Sequence, residues 1–131
     1  DTFVLYLKTH NFHWNVAGAR FLSLHQLFEE QYTALWQSLD QIAERVRALG
    51  SQAPGTRARL NQLARVQDNE SVPSDEDMMR ELVADHETVI ATIRSALGTA
   101  QQANDEATAG LLGERLAYHE KQLWMMKSML A

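Results

Sequence analysis

Two histidines one helical turn apart are the first residues of this sequence that could bind a metal ion. His10 and His13 lie in the stretch KTHNFHWN, and a third imidazole follows at His25. Residues three apart lie on one face of a helix, so the first two could act together. The chain has no cysteine, which leaves imidazole and carboxylate as ligands, and these suit iron, manganese and zinc. A metal site here therefore needs carboxylates from another part of the chain.

Suitable carboxylates lie on a long helix predicted for residues 21–49. Polar and aromatic residues recur on it every three or four positions and form one stripe beside the apolar face: His25, Glu29, Tyr32, Trp36, Asp40 and Glu44. A polar stripe on a long helix is usually solvated. Tyrosine and tryptophan in its middle favour burial instead, and buried carboxylates need partners.

One chain cannot bring the two ends of this stripe to a single ion. His25 and Asp40 are fifteen positions apart, which is about 22 Å along a helix at ~1.5 Å per residue, whereas ligand atoms lie ~2–2.6 Å from a metal. Either the two ends are unrelated, or a second copy joins them. A two-fold axis near residues 33 and 34 would place His25 of one copy beside Asp40 and Glu44 of the other. His13 can join His25 because a short turn connects their helices.

Helical periodicity covers nearly the whole chain, and no β pattern competes with it. Four long helices are predicted: residues 2–15, residues 21–49, a segment that starts after Pro73 with Ser74 as its cap, and a segment that follows Asn104 and Asp105. Residues 50–73 are rich in Gly, Pro, Ser and Asn and form a long connection with a short helix at about residues 56–65. Connections that are short, long and short predict an all-α four-helix bundle with one crossover.

Length and composition predict a single domain over 1–131 and exclude several classes of protein. The 131 residues are 45 % hydrophobic, which is enough for a core. The net charge is −5 and there is no run of Lys or Arg, so this chain has no basic surface of the kind that binds nucleic acid. No segment predicts a membrane span or a signal peptide. The absence of cysteine is typical of cytoplasmic proteins. Because the sequence begins inside a predicted helix and without Met, we expect that residues upstream of it are missing.

The residues around these histidines and carboxylates resemble the Dps family, the DNA-binding proteins from starved cells also called mini-ferritins. The resemblance rests on KTHNFHWNVAGARFLSLHQLFEEQY and LDQIAERVRALG, and extends through VPSDEDMMRELVADHETV and LAYHEKQLWMMKSML. It implies a ferritin-like bundle assembled into a dodecameric shell from two-fold dimers. It also implies a ferroxidase centre at each two-fold interface, with iron ligands His13, His25, Asp40 and Glu44, with Trp14 nearby and with Glu29 as a further candidate acid.

The resemblance implies that the protein is a ferroxidase that stores iron. Fe(II) would be oxidised at the shared centre by hydrogen peroxide or dioxygen, and ferric mineral would collect in the shell, which protects DNA from oxidative damage. The alternative is a nucleoid protein that binds DNA non-specifically, with minor iron chemistry. Twelve copies at −5 each would repel phosphate, so this alternative requires a basic tail that is absent from this chain. Both functions place the protein in the bacterial cytoplasm or nucleoid.

Two features depart from the patterns of related proteins. Ferritin-like iron sites within one bundle use Glu-x-x-His pairs, but Glu81 and His86 are five apart, as are Glu114 and His119. Both histidines are therefore predicted to be buried, hydrogen-bonded core residues. In similar chains an acid beside an iron-entry pore often stands where this chain has Gly110, so the entry path is left open. The family pattern uses the second histidine of KTHNFHWN, which leaves the first without a predicted role.

Overall fold

The computed structural model describes all 131 residues and contains five α-helices and no strands. The helices are α1 (Thr2–Asn15), α2 (Phe21–Ala48), α3 (Arg57–Leu63), α4 (Asp75–Gln102) and α5 (Glu106–Leu130). The chain divides into two compact units, Asp1–Leu82 and Val83–Ala131, so α4 belongs partly to each. No helix has both the length and the apolar character that a membrane span requires. The predicted four long helices and the short one in the long connection are confirmed.

Helix boundaries lie where the sequence carries local stop and start signals. Gly18 follows α1 and Gly50 follows α2. Their φ angles are 111° and 92°, which residues other than glycine rarely adopt. Asn104 has a φ of 53° in the short turn before α5. Asp105 then caps α5 by accepting a hydrogen bond from the Thr108 backbone N–H at 3.0 Å. The predictions for α2 and α3 were slightly too long, because the last predicted residues serve as caps or turns.

Two hydrogen bonds between Ser74 and Asp77 cap the start of α4. Ser74 Oγ accepts a hydrogen bond from the Asp77 backbone N–H at 3.1 Å and donates one to the Asp77 carboxylate at 2.7 Å. Acidic side chains fill the first turn, where they interact favourably with the helix dipole. One of them, Asp75, accepts a hydrogen bond from Arg20 Nε at 2.9 Å. This ion pair ties the turn before α2 to the start of α4 within the first unit.

Helix α1 packs antiparallel along α2 and forms the core of the first unit with it. The rings of Phe12 and Phe28 lie 6.5 Å apart, and those of Tyr6 and Tyr32 are also 6.5 Å apart further along the helices. The fully buried apolar side chains of α1 and α2 are Leu5, Phe12, Leu24, Phe28 and Leu35. The predicted apolar face of α2 is therefore confirmed for its N-terminal part.

The C-terminal part of the same apolar face is more open than predicted. Leu39, Ile42 and Val46 are half-buried and line a groove together with Phe3 and Leu60. The reason is length, because α1 has 14 residues and α2 has 28, so α1 cannot cover the whole face. Leu49, which directly follows α2, is 56 % exposed.

The second unit consists of the C-terminal part of α4 and of α5. Its buried apolar side chains include Val89, Ile93 and Met126. Two exposed ion pairs connect the helices, Lys127 with Glu87 at 2.6 Å and Arg94 with Glu120 at 2.7 Å. Because exposed pairs contribute only about 0–1 kcal/mol each, apolar packing dominates the stability of this unit.

Removal of the α4 cap should lower the stability of the protein. The Ser74→Ala variant leaves the Asp77 N–H without its acceptor, so we expect the free energy of unfolding to fall by about 1 kcal/mol. Urea unfolding at one fixed protein concentration measures the change. Ser95→Ala, at an exposed position inside α4, is the matched control and should change stability by less than about 0.5 kcal/mol. Equal losses in the two variants would contradict the capping role.

Candidate metal centre

Two histidines meet where α1 and α2 are joined. His13 lies near the end of α1 and His25 lies near the start of α2, and the turn of residues 16–20 reverses the chain between them. Their rings stack with centroids 3.8 Å apart and an angle of 18° between the ring planes. His13 is buried and His25 is half-buried. The structure thus brings the two histidines together within one chain, as the short turn predicts.

Reciprocal hydrogen bonds determine which nitrogen of each imidazole is free. His13 Nδ1 lies 2.8 Å from the His25 carbonyl oxygen, and His25 Nδ1 lies 2.9 Å from the His13 carbonyl oxygen. A carbonyl oxygen can only accept, so each Nδ1 carries a hydrogen and donates it. In the neutral ring, Nε2 therefore keeps its lone pair. Metal-binding histidines are commonly oriented in this way, so the pair fits a metal ion as two nitrogen ligands.

Asp40 and Glu44 lie on α2 at a distance from these histidines. Both carboxylates are exposed, and Asp40 lines a surface groove with Trp36 and Gln41. Along the straight helix the distance from His25 to Asp40 is about 22 Å at ~1.5 Å per residue. Nowhere in the chain do three or more His, Cys, Asp or Glu side chains come close enough together to hold a metal ion. Within one chain the two histidines and the two carboxylates therefore remain apart and form no complete site.

The stripe on α2 that contains His25, Asp40 and Glu44 is not buried within one chain. Trp36 is 59 % exposed, Glu29 is exposed, and Tyr32 is half-buried. The prediction of burial is thus wrong for the single chain, because α1 contacts only one edge of the stripe. Several large exposed apolar side chains lie on the same pair of helices: Trp14, Phe21, Leu22 and Trp36.

His10 belongs to the surroundings of the histidine pair, although sequence reasoning assigned it no role. Its ring stacks on Tyr32 at 3.8 Å with an interplanar angle of 10°, and it contacts Trp14 at 4.0 Å. Its Nδ1 lies 3.1 Å from the hydroxyl of Tyr6. Burial, together with the nearby His13, lowers the pKa of His10 below its ordinary value. The spacing Tyr6, His10, Trp14 was the available signal, since residues four apart lie on one helix face.

A second histidine pair is enclosed in the second unit. His86 Nδ1 and His119 Nδ1 lie 2.9 Å apart, so one ring donates the hydrogen and the other accepts it. Burial, with a smaller contribution from the Arg115 charge, lowers the pKa of His86 to about 4, and burial, with smaller contributions from His86 and Arg115, lowers the pKa of His119 to about 2. The prediction of buried, hydrogen-bonded histidines is confirmed. Sequence did not show that they bond to each other, because they lie on different helices.

Comparisons with known proteins agree with this geometry. A ferritin-like domain model matches residues 1–131. The DNA protection during starvation protein of Brevibacillus brevis is 38 % identical over 127 residues, which are 97 % of this chain and 85 % of that protein. The crystal structure of a Dps protein from Bacillus brevis matches with a TM-score of 0.96 and 37 % identity, over 99 % of this chain and 87 % of that chain.

A Dps protein from Vibrio cholerae, described as a member of a broad superfamily of ferritin-like diiron-carboxylate proteins, also has a similar structure. It matches with a TM-score of 0.95 and 28 % identity, over 99 % of this chain and 82 % of that chain. The predicted ferritin-like fold class is therefore confirmed.

Acidification should destabilise the protein through His86 and His119. Burial lowers the pKa of each ring in the folded protein, so the unfolded chain binds protons first as the pH falls below about 6.5. The two buried histidines therefore stabilise the folded protein fully above that pH, and this contribution is lost on acidification. Each histidine should lower the free energy of unfolding by about 1 kcal/mol between pH 6 and pH 5, so the pair should cost about 2 kcal/mol over that range.

Urea unfolding of the protein at pH 7, 6 and 5 measures this slope. The double variant His86→Leu/His119→Leu removes both titrating rings without leaving an unpaired polar partner, so its slope over the same range should be shallower. Equal slopes for the variant and the natural protein would show that other groups cause the pH dependence.

Proposed function

Because this chain belongs to the Dps family of ferritin-like proteins, we propose that it binds Fe(II) at a ferroxidase centre shared between two subunits. The iron is oxidised by hydrogen peroxide and stored as ferric mineral in a hollow shell. Membership of the family supports iron storage and DNA protection in general. The observation that carries the shared centre is the His13–His25 pair, which presents two nitrogen ligands without a carboxylate from its own chain.

A two-fold axis across α2 supplies the missing carboxylates. Antiparallel pairing of two α2 helices, centred near residues 33 and 34, puts His25 of one subunit beside Asp40 and Glu44 of the other. The contact is self-complementary, so each dimer contains two equivalent sites. Trp36 lies near this axis and is 59 % exposed in one chain, so the dimer would remove a large apolar surface from water.

The donor set of the shared site suits the chemistry of iron. Two imidazoles and two carboxylates bind Fe(II), and the negative carboxylates stabilise Fe(III) more than Fe(II), which favours oxidation. Zinc has a higher intrinsic affinity than Fe(II) for such donors and should act as an inhibitor. Oxidation by peroxide removes both reactants that generate hydroxyl radical, and this is how the protein would protect DNA.

The two-fold dimers assemble further into a closed shell that stores the oxidised iron. The shell is a dodecamer built from the two-fold dimers, and it acts in the bacterial cytoplasm. Glu30 is exposed on α2, and this carboxylate with neighbouring acids would bind the ferric product where mineral begins to grow. The net charge of −5 gives no support to direct DNA binding by this chain.

Loss of one carboxylate should abolish fast iron oxidation. We expect Asp40→Ala to slow the initial rate of Fe(II) oxidation by more than the roughly 10–100-fold cost of losing an outer-shell partner, because a ligand itself is removed. Stopped-flow absorbance of the ferric product measures the rate, and size-exclusion chromatography checks that the shell is intact. Gln41→Ala, at the next exposed position, is the control and should oxidise iron normally. An unchanged rate in Asp40→Ala would remove Asp40 from the site.

Loss of the central aromatic residue should weaken the dimer. Trp36→Ala removes an apolar side chain that the two-fold contact would bury, at a cost of roughly 3–5 kcal/mol if the side chain is as buried as a core residue. Sedimentation velocity over a series of protein dilutions measures the dissociation, with Gln37→Ala as the neighbouring exposed control. If Trp36→Ala stays assembled at the same dilution as the control, the axis lies elsewhere.

A further inference from the structure

Arg115 on α5 has a buried edge that no acceptor of the chain reaches. Its Nε and Nη2 atoms are buried and have no hydrogen-bond partner, and the adjacent acid, Glu114, is exposed. The Arg115 Cζ atom lies over the ring of Tyr118, 4.6 Å from its centroid, and an aromatic face attracts a cation but offers it no oxygen. Because arginine stays charged in proteins and a buried charge without a partner is costly, this edge is suited to an anion.

The two unpartnered nitrogens of Arg115 are those that form a planar fork. The hydrogen on Nε and one hydrogen on Nη2 point in the same direction from one edge of the guanidinium. Arginine uses such a pair of parallel donors to bind two oxygens of one carboxylate or phosphate group. A water molecule could accept one of these hydrogens, but it is neutral and would leave the buried charge unpaired. The arrangement of donors therefore favours an oxyanion over water.

A further unpartnered nitrogen belongs to the buried histidine pair of the same unit. His86 has no exposed surface, and its Nε2 atom has no hydrogen-bond partner. Arg115 lies close enough for its charge to lower the pKa of His86 and of His119, and Arg115 and His119 are four positions apart on one face of α5. When His119 donates the hydrogen between the two Nδ1 atoms, neutral His86 carries its own hydrogen on Nε2. The enclosed Nε2 atom is then a third donor beside the fork of Arg115.

We propose that Arg115 and His86 form a binding site for a small oxyanion inside the second unit. The fork of Arg115 binds two oxygens of the anion, and Nε2–H of His86 donates to the same anion. The fork is enclosed, so the ligand is small, and Arg115 as a whole is half-buried, so a movement of its side chain admits the ligand from the surface. All residues of the site lie within Val83–Ala131, and the inference does not depend on the iron centre.

Thermal unfolding of the metal-free, assembled protein tests the site. The protein is first transferred to a buffer free of oxyanions and is then titrated with formate or with inorganic phosphate, while sodium chloride keeps the ionic strength constant. We expect a saturable rise in Tm with at least one of the two anions, because a ligand that binds only the folded state stabilises it. The anions stay at low millimolar concentration, since concentrated phosphate stabilises most proteins without binding to a site. Isothermal titration calorimetry gives the affinity directly.

Three variants separate the fork of Arg115 from its charge. Arg115→Met removes both, so the saturable rise in Tm should disappear, and without oxyanion this variant should be at least as stable as the natural protein because it buries no unpaired charge. Arg115→Lys keeps the charge but not the fork, so its affinity should be weaker by roughly tenfold or more. Lys121→Met removes an exposed positive charge from the same helix and is the matched control, which should respond like the natural protein.

Two results would overturn the oxyanion site. The first is the absence of a saturable response in the natural protein, or an equal response in Arg115→Met and Lys121→Met. The second is a lower Tm of Arg115→Met in oxyanion-free buffer, together with dissociation of its assembly at dilutions that leave Lys121→Met intact in size-exclusion chromatography. That result would show that the fork binds a carboxylate of another subunit instead of a free anion.

Discussion

Two reciprocal hydrogen bonds between His13 and His25 fix the chemistry of the α1–α2 junction. Each imidazole donates Nδ1–H to the backbone carbonyl of the other residue, so the bonds hold the two helix ends together and leave both Nε2 atoms available. The turn that permits them contains Gly18 with a φ of 111°, a conformation that other residues adopt only with strain. Local backbone geometry thus decides that this surface presents two imidazole Nε2 atoms side by side.

The rise of an α-helix then imposes the second constraint. Because Asp40 and Glu44 lie on the same rigid helix as His25, no rearrangement of one chain that keeps α2 helical can bring them to it. The proposed site therefore requires a second copy, and metal binding to it would be linked to assembly. An ion bound between subunits stabilises the dimer by mass action, and dissociation of the dimer destroys the site. The exposure of Trp36, which is unexpected for a monomer, is consistent with this constraint.

Features that depend on neighbouring residues in the chain could be predicted from the sequence. Helix ends at Gly18, Gly50 and Ser74 follow from turn and cap preferences, and the approach of His13 to His25 follows from a short turn. The ferritin-like fold class was also predicted, since helix number and connection lengths restrict the topology.

Features that depend on packing could not be predicted. Burial of the α2 stripe depends on what covers it, and one chain leaves it open. The bond between His86 and His119 joins separate helices. The contacts of His10 depend on ring orientation, which spacing alone does not determine. The same spacing of Tyr6, His10 and Trp14 would also fit a solvated helix face.

Subunit complementation is the most direct test of a centre shared between two chains. One variant, His13→Ala/His25→Ala, lacks the nitrogen ligands, and a second, Asp40→Ala/Glu44→Ala, lacks the carboxylates, so each should be inactive alone. After the two are unfolded and refolded together, about half of the dimers should be mixed under random pairing, and each mixed dimer contains one intact site and one that lacks all four ligands. Fe(II) oxidation should therefore return to about a quarter of the activity per site of the natural protein. No activity in verified mixed dimers would contradict a site divided between subunits.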